Sequence, residues 1–158
     1  MNKPTPLSHY LSPESVHADI SASSAKAALL QITGLIVKVS PYLDPNALLK
    51  AFESRELVQS TGVIEGLAFP QASLPGLERP LLAIARSDSG LPFQSLDGTD
   101  TYLFIALVTP EGDEKGALSI LARLTRLFHT QPDLYERMIE ARSAERLFEV
   151  FSSAEVLL

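Results

Sequence analysis

The sequence predicts a layered fold of the α/β (α+β-like) class, a central β-sheet with helices on its faces. Three observations carry this expectation. Helical periods and short apolar runs alternate along the chain instead of segregating into separate halves. Two apolar runs, Leu81 to Ala85 and Tyr102 to Val108, read as strands, and the first suits burial on both faces. The chain has 158 residues, 46% of them apolar, which suits one domain, 1–158, with a sizeable core.

Taken in order, residues 1–14 are rich in Pro and Ser and predict an extended arm. Val16, Ala18 and Ile20 alternate and predict a short strand over Ser15 to Ile20. Serines at 21, 23 and 24 can cap the helix carrying Leu29, Ile32, Ile36 and Val39, which Pro41 ends. Gly34 inside that helix costs about 1 kcal/mol relative to Ala, so close packing or an imperfect helix is expected there. Asp44-Pro45 starts a second helix to about Leu57, with Leu48, Leu49, Phe52 and Leu57 inward. A strand from Leu67 to Phe69 is expected to stop at Pro70, whose ring fixes φ and directs the next side chain, Gln71. Residues 73–80 are turn-rich, and Ser87 to Asp100 read as a loop with an Asp97-Gly98 turn. Asp113 caps a long helix in which Ala117, Ile120, Leu121, Leu124, Leu127 and Phe128 form one stripe. Pro132 and Ser143 open two further helices.

Composition excludes several functions. Nineteen acidic against thirteen basic residues give a net charge of -6, the wrong sign for a phosphate-neutralising nucleic-acid face. With no cysteine there is no disulfide or thiolate chemistry. The first residues lack the apolar core of a secretory signal, and the longest apolar stretch, Ala27 to Val39, falls short of the ~20 residues that cross a bilayer. A cytoplasmic protein without membrane insertion is expected. His9, His17 and His129 have no metal-ligand spacing, and no metal or other cofactor is expected.

The organising stretch is Ser60-Thr61-Gly62-Val63-Ile64-Glu65-Gly66-Leu67-Ala68-Phe69-Pro70-Gln71-Ala72. It resembles the active-site segment of the fructose/mannitol/nitrogen-type enzyme IIA family of the bacterial phosphotransferase system, which reads roughly S-T-G-I-G-N-G-I-A-I-P-H-A. The resemblance runs from about Ser24 to the C-terminus and implies a mixed five-stranded sheet flanked by helices. In that family the His after Pro accepts the phosphoryl group, and Gln71 stands at that position here. The family's second histidine corresponds to Ala117, by alignment with Leu121 to Leu124. Arg55, followed by Glu56, matches an Arg that lies beside the phosphohistidine. Read alone, Arg55 is a solvated cation stabilised at a helix C-terminus, and the resemblance is what moves it towards the site. Ser60, Thr61 and Gly62 are either an ordinary turn or a phosphate-cradling nest. Ile64 and Glu65 replace a common Gly-Asn, and the Glu65 carboxylate would oppose an incoming phosphoryl group.

A glutamine amide nitrogen has its lone pair delocalised into the carbonyl, so Gln71 donates and accepts hydrogen bonds but is no nucleophile near neutral pH. The resemblance therefore implies a nitrogen-regulatory-type domain that cannot carry phosphate and regulates a protein target, with the general phosphocarrier protein as a further partner. Two alternatives remain open: a phosphocarrier using another residue, and a module binding a small ligand in the former active-site cleft. The candidate binding set is Arg55, Ser60, Thr61, Gly62, Glu65 and Gln71. If the old relay face serves for docking, Phe69 and Leu74 should be partly exposed.

Overall fold

The computed structural model describes residues 4–58, 62–93 and 99–156, and the side chains among them except those of 56–58, 62–64 and 156. Six strands lie within these residues: β1 (Leu11–His17), β2 (Gly62–Ile64), β3 (Leu67–Ala68), β4 (Gln71–Leu74), β5 (Leu81–Leu91) and β6 (Thr101–Pro110). They form one mixed sheet in the order β1-β5-β6-β3-β2, with β4 also paired to β6. β1 runs parallel to β5, β5 antiparallel to β6, β3 and β4 parallel to β6, and β2 antiparallel to β3.

β3 and β4 are one strand interrupted at Phe69-Pro70. Leu67 lies opposite Leu103 and Gln71 opposite Leu107, so the register does not change across the gap. Pro70 has no N–H and leaves out one rung, but its carbonyl accepts from the Leu107 amide at 2.8 Å. The strand therefore does not stop at Pro70 as expected, and the turn-rich connection begins after Leu74. With β3 and β4 merged, the described strands occupy five positions.

Strand alternation sends two apolar sets to opposite faces. Leu67, Phe69, Leu82, Ile84, Leu103, Ile105 and Leu107 pack with α3 (Glu114–Thr130), α4 (Leu134–Glu140) and α5 (Ala144–Val156). Ala68, Ala72, Ala83, Ala85, Phe104, Ala106 and Val108 pack with α1 (Ala25–Val39) and α2 (Pro45–Val58). The second face is largely alanine, which lets two helices lie close to the sheet. Phe93 and Phe104 meet edge-on beneath them at 5.1 Å.

The expected caps form. The Ser24 hydroxyl accepts from the Ala27 amide at 3.1 Å, Asp44 from Asn46 at 3.0 Å, Asp113 from Gly116 at 3.1 Å and Ser143 from Arg146 at 3.1 Å. A Cβ on Gly116 would stand 2.3 Å from the Asp113 carboxylate, so glycine leaves room for that cap. Several expectations need correction. Nothing packs within 4 Å of a Cβ at Gly34; the helix is regular there and the glycine is exposed. Among the first residues, Leu7–Tyr10 form a 3-10 turn and β1 starts at Leu11, not Ser15. This is no extended arm: Leu7 and Leu11 are core residues, and the Glu155 carboxylate accepts from the Leu7 and Ser8 amides. β5 continues to Leu91 through a register shift and a positive φ at Gly90, so Ser87 to Leu91 are strand and not loop. Asp97 and Gly98 lie outside the described residues. Pro132 precedes α4, which begins at Leu134.

Arg86 is the buried cation of the sheet. Its Nε donates to the Ile139 carbonyl at 2.6 Å, and its Nη1 donates to the Ala18 carbonyl at 3.1 Å and to the Asp88 carboxylate. It thereby closes the last turn of α4 onto β5 and onto the segment after β1. That hydrogen bond from Arg86 holds the Asp88 carboxyl below its usual range. Among the described residues no helix is long and apolar enough to cross a membrane.

Candidate functional site

A cleft of about 420 Å³ opens beside β4, at the edge of the sheet that β2 does not cover. α2 contributes Ala51, Ser54 and Arg55 from its last two turns, β4 contributes Gln71, Ala72 and Ser73, β6 contributes Leu107 and Thr109, and the first turn of α3 contributes Ala117. Helices from opposite faces of the sheet thus meet around its edge. The continued strand after Pro70 makes this possible, because it keeps Gln71 in register beside Leu107.

Three of the residues singled out from sequence therefore share one cleft: Arg55, Gln71 and Ala117. Arg55 and Gln71 are both half-buried. Among the described residues, the Gln71 amide donates to its own neighbour, the Phe69 carbonyl, at a long 3.5 Å. Ser60 and Thr61 lie outside the described residues, and Gly62 is placed by its backbone alone, at the start of β2. Glu65 does not line the cleft. It is exposed in the turn joining β2 to β3. Phe69 and Leu74 are 3% and 5% exposed, which corrects the expectation of an apolar surface around Gln71. Phe69 packs instead on Phe128 of α3 at 6.1 Å. The cleft itself is lined by polar and small side chains together with Leu107.

His9, His17 and His129 are all exposed and none lines the cleft. His17 Nδ1 accepts from the Asp19 amide at 3.0 Å. Among the described residues no group of three or more His, Cys, Asp or Glu side chains could hold a metal.

Sequence reasoning missed four side chains. Ser54, Ser73 and Thr109 bring hydroxyls to the cleft, and no short motif marks them. Tyr135 supports the turn that leads into β3. Its hydroxyl donates to the Gly66 carbonyl at 3.1 Å, and the same carbonyl accepts from the Tyr102 and Leu103 amides. Gly66 has φ +78, and a Cβ there would stand 2.0 Å from the Tyr135 hydroxyl. Burial, with Tyr102 and the Glu65 charge nearby, pushes the Tyr135 phenol up to about 12.

The sequence profile of the family described as "Phosphoenolpyruvate-dependent sugar phosphotransferase system, EIIA 2" matches residues 9–154. A nitrogen regulatory protein of Pseudomonas aeruginosa is 28% identical over 144 residues, which cover 91% of this chain and 93% of that protein. One of Bradyrhizobium diazoefficiens is 29% identical over 147 residues, covering 93% and 95%. The crystal structure of nitrogen regulatory protein IIA-Ntr from Neisseria meningitidis superposes with a TM-score of 0.83 at 24% identity, over 91% of this chain and 97% of that one. Escherichia coli mannitol enzyme IIA, solved in complex with phosphorylated mannitol enzyme IIB, gives 0.73 at 17% identity over 89% and 95%. At such identities the two structures testify to the fold alone.

Proposed function

The chain belongs to the EIIA 2 family of the phosphoenolpyruvate-dependent sugar phosphotransferase system, and from that membership we propose that it is a nitrogen-regulatory-type domain that carries no phosphate and acts by binding a protein target. One observation carries the reading. The cleft that gathers Arg55, Gln71 and Ala117 contains no imidazole, and the three histidines of the chain lie elsewhere on its surface. Phosphoryl transfer of the family's kind needs a nitrogen lone pair that an amide does not offer. A neutral amide at Gln71 resembles unphosphorylated histidine in charge and hydrogen bonding. The domain would therefore sit permanently in the unphosphorylated signalling state. An enzyme IIA of the same fold has been solved with a protein partner, and the surface around this cleft is the one such a partner of this chain would meet.

The test is incubation with phosphoenolpyruvate and the general phosphotransferase proteins, followed by intact-mass measurement. No mass gain is expected. An acid-labile phosphoryl group on any histidine would overturn the reading. The hydroxyls of Ser54, Ser73 and Thr109 beside Arg55 favour a second reading, transfer to another residue. An acid-stable phosphoryl group mapped to one of them would establish it. For the target itself, Gln71→Glu adds the negative charge that phosphorylation would bring and should weaken capture of an isolated partner. Equal affinity would exclude this face.

A further inference from the structure

α3 buries one side only. Ile120, Leu124, Leu127 and Phe128 pack into the core. On the outer side Leu118 is 66% exposed. With Leu121, Ala122 and Thr125 it walls an open apolar groove, which Arg126 and His129 line towards the C-terminal end. These positions recur at helical spacing and form one stripe along the helix. The Thr125 hydroxyl donates to the Leu121 carbonyl at 2.9 Å, so it is satisfied within the helix and covering it leaves no donor unmet.

The charges at the two ends of the stripe decide what fits it. The N-terminal end carries Glu111, Asp113 and Glu114 against a single Lys115, all exposed. After Glu114 the helix holds no acid, and Arg126 and His129 stand exposed near its end. Among the described residues neither Glu114 nor Arg126 has an ion pair. Such a face complements itself. A second copy laid antiparallel, about a two-fold axis near Leu121 and Ala122, sets Glu114 of each copy against Arg126 and His129 of the other. The helix dipoles also oppose in that arrangement, which favours it. A parallel copy would set Glu114 against Glu114 and Arg126 against Arg126.

We propose that the outer face of α3 is a self-association surface on which two copies of this chain pack antiparallel about Leu118, Leu121 and Ala122. The contact is transient. From Glu114 to His129 the helix runs about 22 Å and is about 10 Å across. That gives roughly 220 Å² per copy, well below the ~800 Å² a side of a standard stable interface. Each chain has a net charge of -6, so two copies repel at long range. At about 0.15 M salt that repulsion is screened beyond about 8 Å, which leaves the end pairs to set the orientation. The contact needs no phosphoryl group and no other protein, so it goes beyond the regulatory reading and does not depend on it.

The full chain is examined by sedimentation equilibrium from micromolar to millimolar concentration at physiological salt. The average mass is expected to rise from one chain towards two. Leu118→Ser, at an exposed position, should abolish the rise. Glu114→Arg and Arg126→Glu should each weaken association about tenfold or more, because each reverses a charge pair that occurs twice. Together in one chain, the two changes restore opposite charges only in the antiparallel arrangement, and association should recover. Leu30→Ser, at another exposed apolar side chain, should leave it unchanged. Should Glu114→Arg misfold, Leu118→Ser and Arg126→Glu decide. A chain that stays monomeric throughout overturns the proposal and leaves the face to a different protein. Self-association that survives Leu118→Ser, that Leu30→Ser abolishes, or that the folded double variant fails to recover overturns it equally.

Discussion

Gly66 and Tyr135 show how one carbonyl can be a joint. The turn before β3 needs φ +78 at Gly66 and places that residue against the Tyr135 hydroxyl. Alanine there would meet two costs: about 1–2 kcal/mol for a left-handed backbone, and displacement of Tyr135 with loss of its hydrogen bond, roughly another 1 kcal/mol. Gly66→Ala is therefore expected to lower unfolding free energy by about 2–3 kcal/mol in urea titration. In a Tyr135→Ala background the backbone share alone should remain. Tyr135 also gives a pH signature. Its phenol ionises near 10.0 when unfolded and about 12 when folded. The raised value means that its contribution to stability is complete below pH 10 and is lost as pH rises towards 12. Tyr135→Phe should flatten the fall of the unfolding midpoint across that window. An unchanged alkaline profile would assign the fall to other groups. At this scale the motif singled out Arg55, Gln71 and Ala117, which line one cleft. Thr109 and Tyr135 escaped because a lone hydroxyl on an apolar strand or an amphipathic helix has no distinctive pattern.

Elements were read best where a cap or a period defined them. Ser24, Asp44, Asp113 and Ser143 were all visible in the chain because N-cap chemistry is local. The strand broken at Pro70 was misread for the opposite reason. Whether a proline ends a strand depends on its neighbour, and here β6 supplies a donor, Leu107, to keep the register. The first residues were misread likewise, since Leu7 and Leu11 acquire their burial from helices at the other end of the chain. Gly34 gives a prediction at this scale. It is exposed, mid-helix and without neighbours within 4 Å of a Cβ, so alanine should fit without strain. Gly34→Ala should stabilise by about 1 kcal/mol and raise the thermal midpoint by roughly 2–4 °C. A lower midpoint would mean that the exposed face of α1 is used by something else.

Across the whole molecule, one carboxylate joins regions that are remote in sequence. Glu155 on α5 accepts from Leu7 and Ser8, 148 residues away in the first case, and Arg123 of α3 steadies it at 3.5 Å. Such a contact has a kinetic meaning. A closure spanning so much chain is entropically costly to make early, so it is expected to form after the folding barrier is crossed. Its stabilisation would then fall on the native side of that barrier. Glu155→Gln, at a cost of about 1 kcal/mol, should speed unfolding roughly fivefold and leave the refolding rate nearly unchanged in stopped-flow chevrons. A slowed refolding limb would place the contact in the nucleus instead. On this account Glu155 governs how long the folded molecule lasts and has little to do with how quickly it is reached.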